Sequence, residues 1–436
     1  MKEDNQEVHV YGYRWVVLAV FSLINLVIQL NWIVFAPITT DCIRLYETTP
    51  FWIVSLSMSF MVVYLFVCIP ASYIIDRFGI HIGVGTGALL TGLFGYLRGL
   101  YATDLTIVLI TQFGLAAAQP FILNAMTRVA AMWFPIHERA TANGIPSLFQ
   151  FIGIIIAMAA TKPFAESFLP EGAPLSLNAI QTTLLVYGKV SVASAVLFIL
   201  FARNKPPKPP SESVGEKFDF FDGFSHIFRQ RNAVLIVVMF FIGLGMFNAI
   251  STFIDLILSE KGLSGANQAG NIGAIMMVAG VLGACVLPPL SDKTRKRKTF
   301  LAISLGGMIP GLVGLTFSTS YIPLMISSGA FGFFFMSSYP IGFQYGAEVA
   351  FPAPESTTQG VIVLAGQISG SIFITIMALL GNVSLEAFAD ATLASTEIQL
   401  KPFMIAFLIL SVVNFGISLL LGESNLIQQE QKQTPS

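Results

Sequence analysis

The sequence predicts an all-α membrane protein whose twelve spans form two pseudosymmetric six-helix bundles. Its composition, the count of its apolar runs and an internal repeat point to this fold. Of 436 residues, 55% are hydrophobic and 11% are charged, with a mean hydropathy of +0.76. A soluble domain carries about a quarter of its residues as Asp, Glu, Lys and Arg, so a chain this poor in charge could not cover its surface in water. A spanning helix takes about 20 apolar residues, and the length accommodates twelve with short loops. The net charge of −1 offers no basis for nucleic-acid binding.

Apolar runs between charged or Pro/Gly-rich breaks place spans at 14–40, 51–75, 82–102, 105–134, 139–161 and 179–203. The second half gives 233–258, 266–290, 299–319, 322–351, 356–382 and 402–421. The first bundle is therefore assigned to residues 1–203, and the second, with a tail, to 233–436. Residues 204–232 hold four prolines and many charges with no run long enough to cross, and read as a cytoplasmic linker.

Lys and Arg set the orientation. With the N-terminus inside, sixteen of the 23 basic residues lie on the inner side, including Lys2, Lys217 and Lys432, four lie in outer loops, and Arg98, Arg128 and Lys189 fall within spans. Both termini are expected in the cytoplasm and the plasma membrane is the default location, with the chain acting as a monomer. No cleavage site follows the first apolar run, so that run is expected to be kept as a span. Cys42, Cys68 and Cys285 are too few and scattered for a disulfide framework and read as packing residues.

The halves repeat. Phe134-Pro135, Glu138, Gly144, Gln150 and Gly153 after the fourth span are matched by Phe351-Pro352, Glu355, Gly360, Gln367 and Gly370 after the tenth, five of six pairs at an offset of 217. The same offset takes Asn31 to Asn248, and Asp76 lies 216 before Asp292. An even number of spans lies between the copies, so they have parallel topology. Parallel six-helix repeats are the plan of the major facilitator superfamily, with the substrate site expected between the halves near the midplane.

The turn Asp76-Arg77-Phe78-Gly79-Ile80-His81 resembles that superfamily's signature after its second helix, with Ser72 where the first Gly usually stands; Asp292 with the basic run 295–298 is a degenerate copy. A carboxylate there can face the positive N-terminal end of another helix. Asp76 is expected to face the helix start near Ser356, and Asp292 the start near Arg139, so Asp76, Arg77, Arg139 and Asp292 form the candidate gating set. Solvated loop charges are the alternative.

Polar side chains in a span are costly and usually face a bundle interior or cavity. The first span carries Asn25, Gln29 and Trp32 on one face with Asn31 beside them. The fourth carries Gln112, Gln119 and Asn124, the fifth Asn143, Ser147 and Gln150, the seventh Asn248, Ser251 and Thr252, and the eleventh Gln367 and Ser371. Trp32 lies about four residues, roughly 6 Å, beyond the middle of its span, too deep for the interfacial belt where membrane Trp residues gather. An indole among amides suits the face of a cation, an attraction worth about 2 kcal/mol when desolvated; a Trp filling the core is the alternative.

No Asp, Glu or His stands near the midplane, since Asp41 and Asp255 sit near outer ends and Glu348 and Arg128 near inner ones. Facilitated diffusion is therefore the leading expectation, with Glu348 and Arg128 as candidate coupling residues. Gly83, Gly87, Thr91, Gly95 and Gly99 give the third span a strip for close packing. The four histidines share no ligand spacing, and no nucleophile motif occurs; no metal, cofactor or enzymatic activity is predicted.

Tyr13-Arg14-Trp15-Val16, Asn31-Trp32-Ile33, Ala118-Gln119-Pro120-Phe121-Ile122-Leu123-Asn124, the turn from Trp133-Phe134-Pro135 to Glu138-Arg139-Ala140, and Ala249-Ile250-Ser251-Thr252 resemble the FLVCR family, the feline leukaemia virus subgroup C receptor-related proteins. Phe331-Gly332-Phe333-Phe334, Pro340 to Phe343, Glu348 and Gly366-Gln367 to Gly370 extend the likeness over nearly the whole chain, and the short loops raise the expectation of a prokaryotic relative. The resemblance implies downhill transport of choline and ethanolamine by alternating access, with haem as a disputed substrate. It also implies that a first-helix Trp and a seventh-helix Tyr enclose the trimethylammonium group while glutamines of the fourth and eleventh helices touch the ligand. Trp32, Gln119 and Gln367 match; Asn248 stands where the Tyr should be, so Tyr339, Tyr345 or Phe247 would have to complete the cage.

The expectation is thus a facilitator of a small cationic or zwitterionic solute. Its candidate binding residues are Trp32, Gln119, Gln367, Asn248, Gln29, Asn31, Asn124, Tyr339 and Tyr345. A proton-coupled carrier of an organic anion, or a non-transporting receptor of the same fold, are the rival readings.

Overall fold

The structure is a computed structural model and describes residues 9–48, 50–170, 172–210, 220–262, 266–380 and 399–423. Lys2, Lys217 and Lys432 of the expected inner set, the end of the eleventh span beyond residue 380 and the side chain of Asp255 lie outside the described residues. Among the described residues there is no strand, and twelve helical stretches are long and apolar enough to cross a bilayer.

The chain divides into two compact units, Met1–Phe220 with Pro354–Gly360, and Phe221–Ala353 with Val361–Ser436. The first is built from α1 (Arg14–Ile33), α2 (Thr39–Leu45), α3 (Pro50–Phe78), α4 (Ile80–Leu100), α5 (Leu105–Leu123), α6 (Met126–Trp133), α7 (Arg139–Glu166) and α8 (Leu177–Phe201). Helix α9 (Phe220–Arg229) follows, then α10 (Arg231–Ser259), α11 (Ala266–Thr294), α12 (Arg297–Phe317), α13 (Tyr321–Val349), α14 (Glu355–Leu380) and α15 (Lys401–Leu419). The first residues of α14 group with the first unit and the remainder with the second.

Three boundaries depart from the sequence reading. The first span ends as an α-helix at Ile33 and continues through a 3-10 turn at Ala36–Ile38 into α2. The fourth is interrupted at Asn124 and Ala125, one turn after Pro120, whose ring removes a ladder donor. The linker contains α9, whose Ile227 is buried with Ala233, Ala350 and Ala353.

Local chemistry sets several helix ends. Asp104 starts α5 by accepting from the backbone N–H groups of Thr106 at 2.8 Å and Ile107 at 3.3 Å, and Ser176 does the same for α8 through Ala179. Only Gly79 separates α3 from α4, and its φ of +88° is a left-handed conformation that side chains rarely adopt.

The repeat is visible in packing. In the first unit α4 lies against α5 and α8, and α3 against α5; in the second, α12 lies against α13 and α15, and α11 against α13. The glycine strip of α4 permits the close approach: a Cβ at Gly87 would stand 2.8 Å from that of Phe121, and one at Gly99 would strike the Leu185 backbone. Cys42 and Cys68 are buried and Cys285 is exposed. Burial, and next the charge of Asp41, push the Cys42 thiol up to about 12, so it packs rather than reacts.

Gly79→Val forces a β-branched residue to φ +88° and drives its Cβ to within 2.7 Å of Asn204 Oδ1. It should destabilise the protein by about 1–3 kcal/mol. Gly85→Ala, where a Cβ meets nothing within 4 Å, should leave the melting temperature unchanged or raised. Thermal unfolding of the purified protein in detergent checks both.

Candidate functional site

In the first unit, α1, α5 and α7 turn their amides toward one another. Gln119 Nε2 donates to Gln29 Oε1 at 3.3 Å, and Gln150 Nε2 donates to Asn25 Oδ1 at 2.7 Å. One turn beyond Gln29, the half-buried Trp32 donates its indole N–H to the Ser57 carbonyl of α3 at 3.1 Å. Gln29 and Gln119 therefore form a neutral polar pair, and Trp32 lies one turn along α1 from Gln29 with its indole ring held by its edge.

Asn31 and Asn124 do not belong to that region. Asn31 is fully buried, and its amide donates to Ser191 Oγ at 2.9 Å and the Val27 carbonyl at 2.8 Å while its oxygen accepts from Arg98. Asn124, at the break in the fourth span, accepts from Tyr64 and donates to Ser72 Oγ at 2.9 Å. Both amides are consumed in joining helices within the first unit.

In the second unit, Gln367 on α14 and Asn248 on α10 are half-buried, and neither side-chain amide makes a hydrogen bond among the described residues. Asn248 lies over Gly370, where an added Cβ would come within 2.7 Å of its Nδ2. Tyr345 is buried and donates to the Gly422 carbonyl at 2.7 Å. Tyr339 packs on Phe343 and Phe240 with ring centroids 4.3 and 6.0 Å away. Phe247 stacks on Phe335 at 4.5 Å. Tyr345 is thus tied into the second unit's scaffold, and Tyr339 and Phe247 belong to aromatic stacks there.

Two ionic clusters hold Asp76 and Arg128, and Asp292 and Glu348, whereas the gating candidates Arg77 and Arg139 stand outside them. In the first unit Asp76 Oδ1 accepts from Arg128 at 3.0 Å and from the Ser356 N–H at 3.3 Å, while Oδ2 accepts from the Thr357 N–H at 2.9 Å and its hydroxyl at 2.6 Å. The carboxylate thus meets unpaired N–H groups at the start of α14, where the helix dipole is positive. Arg128 also lies 3.8 Å from Glu355. Arg77 is exposed and bonds Tyr73, whereas Arg139 is buried and donates to the carbonyls of Phe134 and Ala131, both at 3.2 Å.

In the second unit Arg297, fully buried, pairs with Asp292 and donates to Glu348 at 3.0 Å, and Gln344 adds a bond to Glu348 at 2.8 Å. Sequence reasoning missed Arg297, which was one cation in a basic run, and Arg98, which was noted only as lying within a span. Spacing offered a signal for Arg98: it and Gln112 flank the short loop between α4 and α5, and Arg98 Nη1 donates to Gln112 Oε1 at 2.6 Å.

Comparison with known proteins decides the family. The sequence profile of the Major Facilitator Superfamily matches residues 11–374. The chain belongs to the major facilitator superfamily. Among its relatives are the human choline/ethanolamine transporter FLVCR2, 26% identical over 85% of this chain and 72% of that protein, and the zebrafish solute carrier family 49 member A3, 27% identical over 86% and 80%. The crystal structure of the superfamily transporter FucP, from E. coli, superposes with a TM-score of 0.72 at 17% identity, covering 94% of this chain and 99% of that one, which carries the fold alone. This superfamily member is a multi-pass membrane transporter resembling the FLVCR proteins.

Removing one partner of a buried ion pair strands the other. Asp76→Ala should cost about 3–5 kcal/mol, and adding Arg128→Ala should restore part of that loss. A double-mutant cycle on thermal unfolding should give a favourable coupling above about 1 kcal/mol.

Proposed function

We propose that this transporter carries a small cationic or zwitterionic solute of the choline or ethanolamine class, downhill and by alternating access. The observation that carries the reading is the half-buried Trp32, fixed by its N–H to Ser57 beside the neutral pair Gln29 and Gln119. A π face attracts an ammonium group, and the amides offer hydrogen bonds to a hydroxyl without adding a charge. Asn248 and Gln367 are the polar candidates of the second unit. The name borne by the human and fish FLVCR2 relatives agrees with this solute class.

The buried carboxylates Asp76, Asp292 and Glu348 are each held by an arginine. That commitment supports a uniport over a proton-coupled carrier. The contacts of Asp76 with the start of α14 are proposed as those that part when the transporter changes state. The Lys and Arg distribution supports cytoplasmic termini; the plasma membrane is taken as the default location and a monomer as the working state.

Uptake of radiolabelled choline or ethanolamine into proteoliposomes should be saturable without any imposed ion gradient. A pH gradient should leave the rate unchanged, and Trp32→Ala should lower kcat/KM at least about tenfold, the scale of a desolvated cation–π contact. Uptake that needs an inward proton gradient would favour the coupled carrier, and folded protein giving no uptake of either amine would remove this solute class.

A further inference from the structure

Arg98 lies inside a span, is 0% exposed and has no carboxylate partner among the described residues. Its acceptors explain how the charge is tolerated. Nη1 donates to the Asn31 carbonyl at 3.0 Å and to Gln112 Oε1 at 2.6 Å, and Nη2 donates to Asn31 Oδ1. The ring of Phe35 lies 5.6 Å from the guanidinium carbon. Helix α1 ends at Ile33, so the Asn31 and Trp32 carbonyls are among the last four, which lack intrahelical partners and carry the negative end of the helix dipole. Arg98 caps that end.

Gln112, oriented by Arg98, extends the cap. Its Nε2 reaches the carbonyls of Asn31 at 3.4 Å, Trp32 at 3.5 Å and Leu56 at 3.2 Å. Leu56 immediately precedes Ser57, whose carbonyl holds the Trp32 indole at 3.1 Å. Through Gln112, the Arg98 cluster thus reaches both the backbone from which the Trp32 side chain springs and the strip of α3 beside the carbonyl that fixes its N–H.

We propose that Arg98 is the positioning residue of the Trp32 platform, fixing the angle at which the indole meets its solute. Its use in solute binding rests on the function proposed above; its control of the indole does not. Lysine cannot substitute fully, because one ammonium cannot reproduce the forked contacts to Asn31 and Gln112.

The test uses the full chain with Trp15, Trp52 and Trp133 changed to Phe, leaving Trp32 as the sole tryptophan, excited at the red edge where the tyrosines do not absorb. Arg98→Met should shift the Trp32 emission and raise its quenching by acrylamide, with Arg98→Lys intermediate. It should also raise KM for choline about tenfold while Vmax changes less than KM. As a control for a merely structural effect, Asn124→Leu should lower the melting temperature without moving the Trp32 signal. If Arg98→Met does not fold, Gln112→Leu replaces it, and increased quenching is again expected. Unchanged emission and quenching in the folded Arg98→Met or, in its place, Gln112→Leu protein overturns the proposal whether or not choline is carried. A shifted signal in a protein that never carries choline would sustain the positioning role and reject the solute instead.

Discussion

A polar group that enters the hydrocarbon core has no water to bind, so its partner must come from the protein or from a ligand. That constraint organises the side chains inside this transporter. Arg98 is balanced by carbonyls and amides at the end of α1, Asp76 by Arg128 and the first N–H groups of α14, and Arg297 by Asp292 with Glu348. Each solution joins different helices, so each also fixes where helices start, stop and cross. In the remaining polar region, Gln29 and Gln119 share one bond and Trp32 spends its single N–H on Ser57. Neutral amides beside an anchored indole leave a π face as the main electrostatic feature, which is why a cation is the solute we assign to it.

The two units solve the same problem with different residues. Each places an aspartate at the end of its second span and pairs it with an arginine, Asp76 with Arg128 and Asp292 with Arg297. In the first unit the arginine comes from the fourth span's second segment; in the second it opens α12, five residues after its partner. The repeat thus preserves the need for a buried charge pair and the packing of the helices around it, while the position supplying the cation has moved.

Much of the architecture was legible in the sequence, because span length is imposed by bilayer thickness and the repeat preserved landmarks such as Gln150 and Gln367. At the fourth span Pro120 signalled a bend, but not that the helix would stop at Leu123 and restart at Met126, because a proline can kink a helix without ending it. Of the site, periodicity found the faces carrying Gln29, Trp32 and Gln119. It could not separate them from Asn31 and Asn124, because an amide serving a solute and one serving a neighbouring helix obey the same rule of facing inward. Only the partners decide, and those of Asn31 lie 67 and 160 residues away. Tyr345 escaped for the same reason, its hydroxyl being taken by Gly422, 77 residues on. Arg98 was hidden by the habit of pairing cations with carboxylates, when its partner is the end of a helix.

The central claim, that a positive charge on the solute is what Trp32 recognises, is tested most directly by calorimetric binding of choline and of its uncharged carbon isostere 3,3-dimethylbutan-1-ol to the purified protein. The two differ in charge and hardly in shape. The account predicts that choline binds at least about tenfold more tightly and that Trp32→Leu removes most of the difference. Equal binding of the neutral alcohol, or a preference for choline that survives Trp32→Leu, would contradict it.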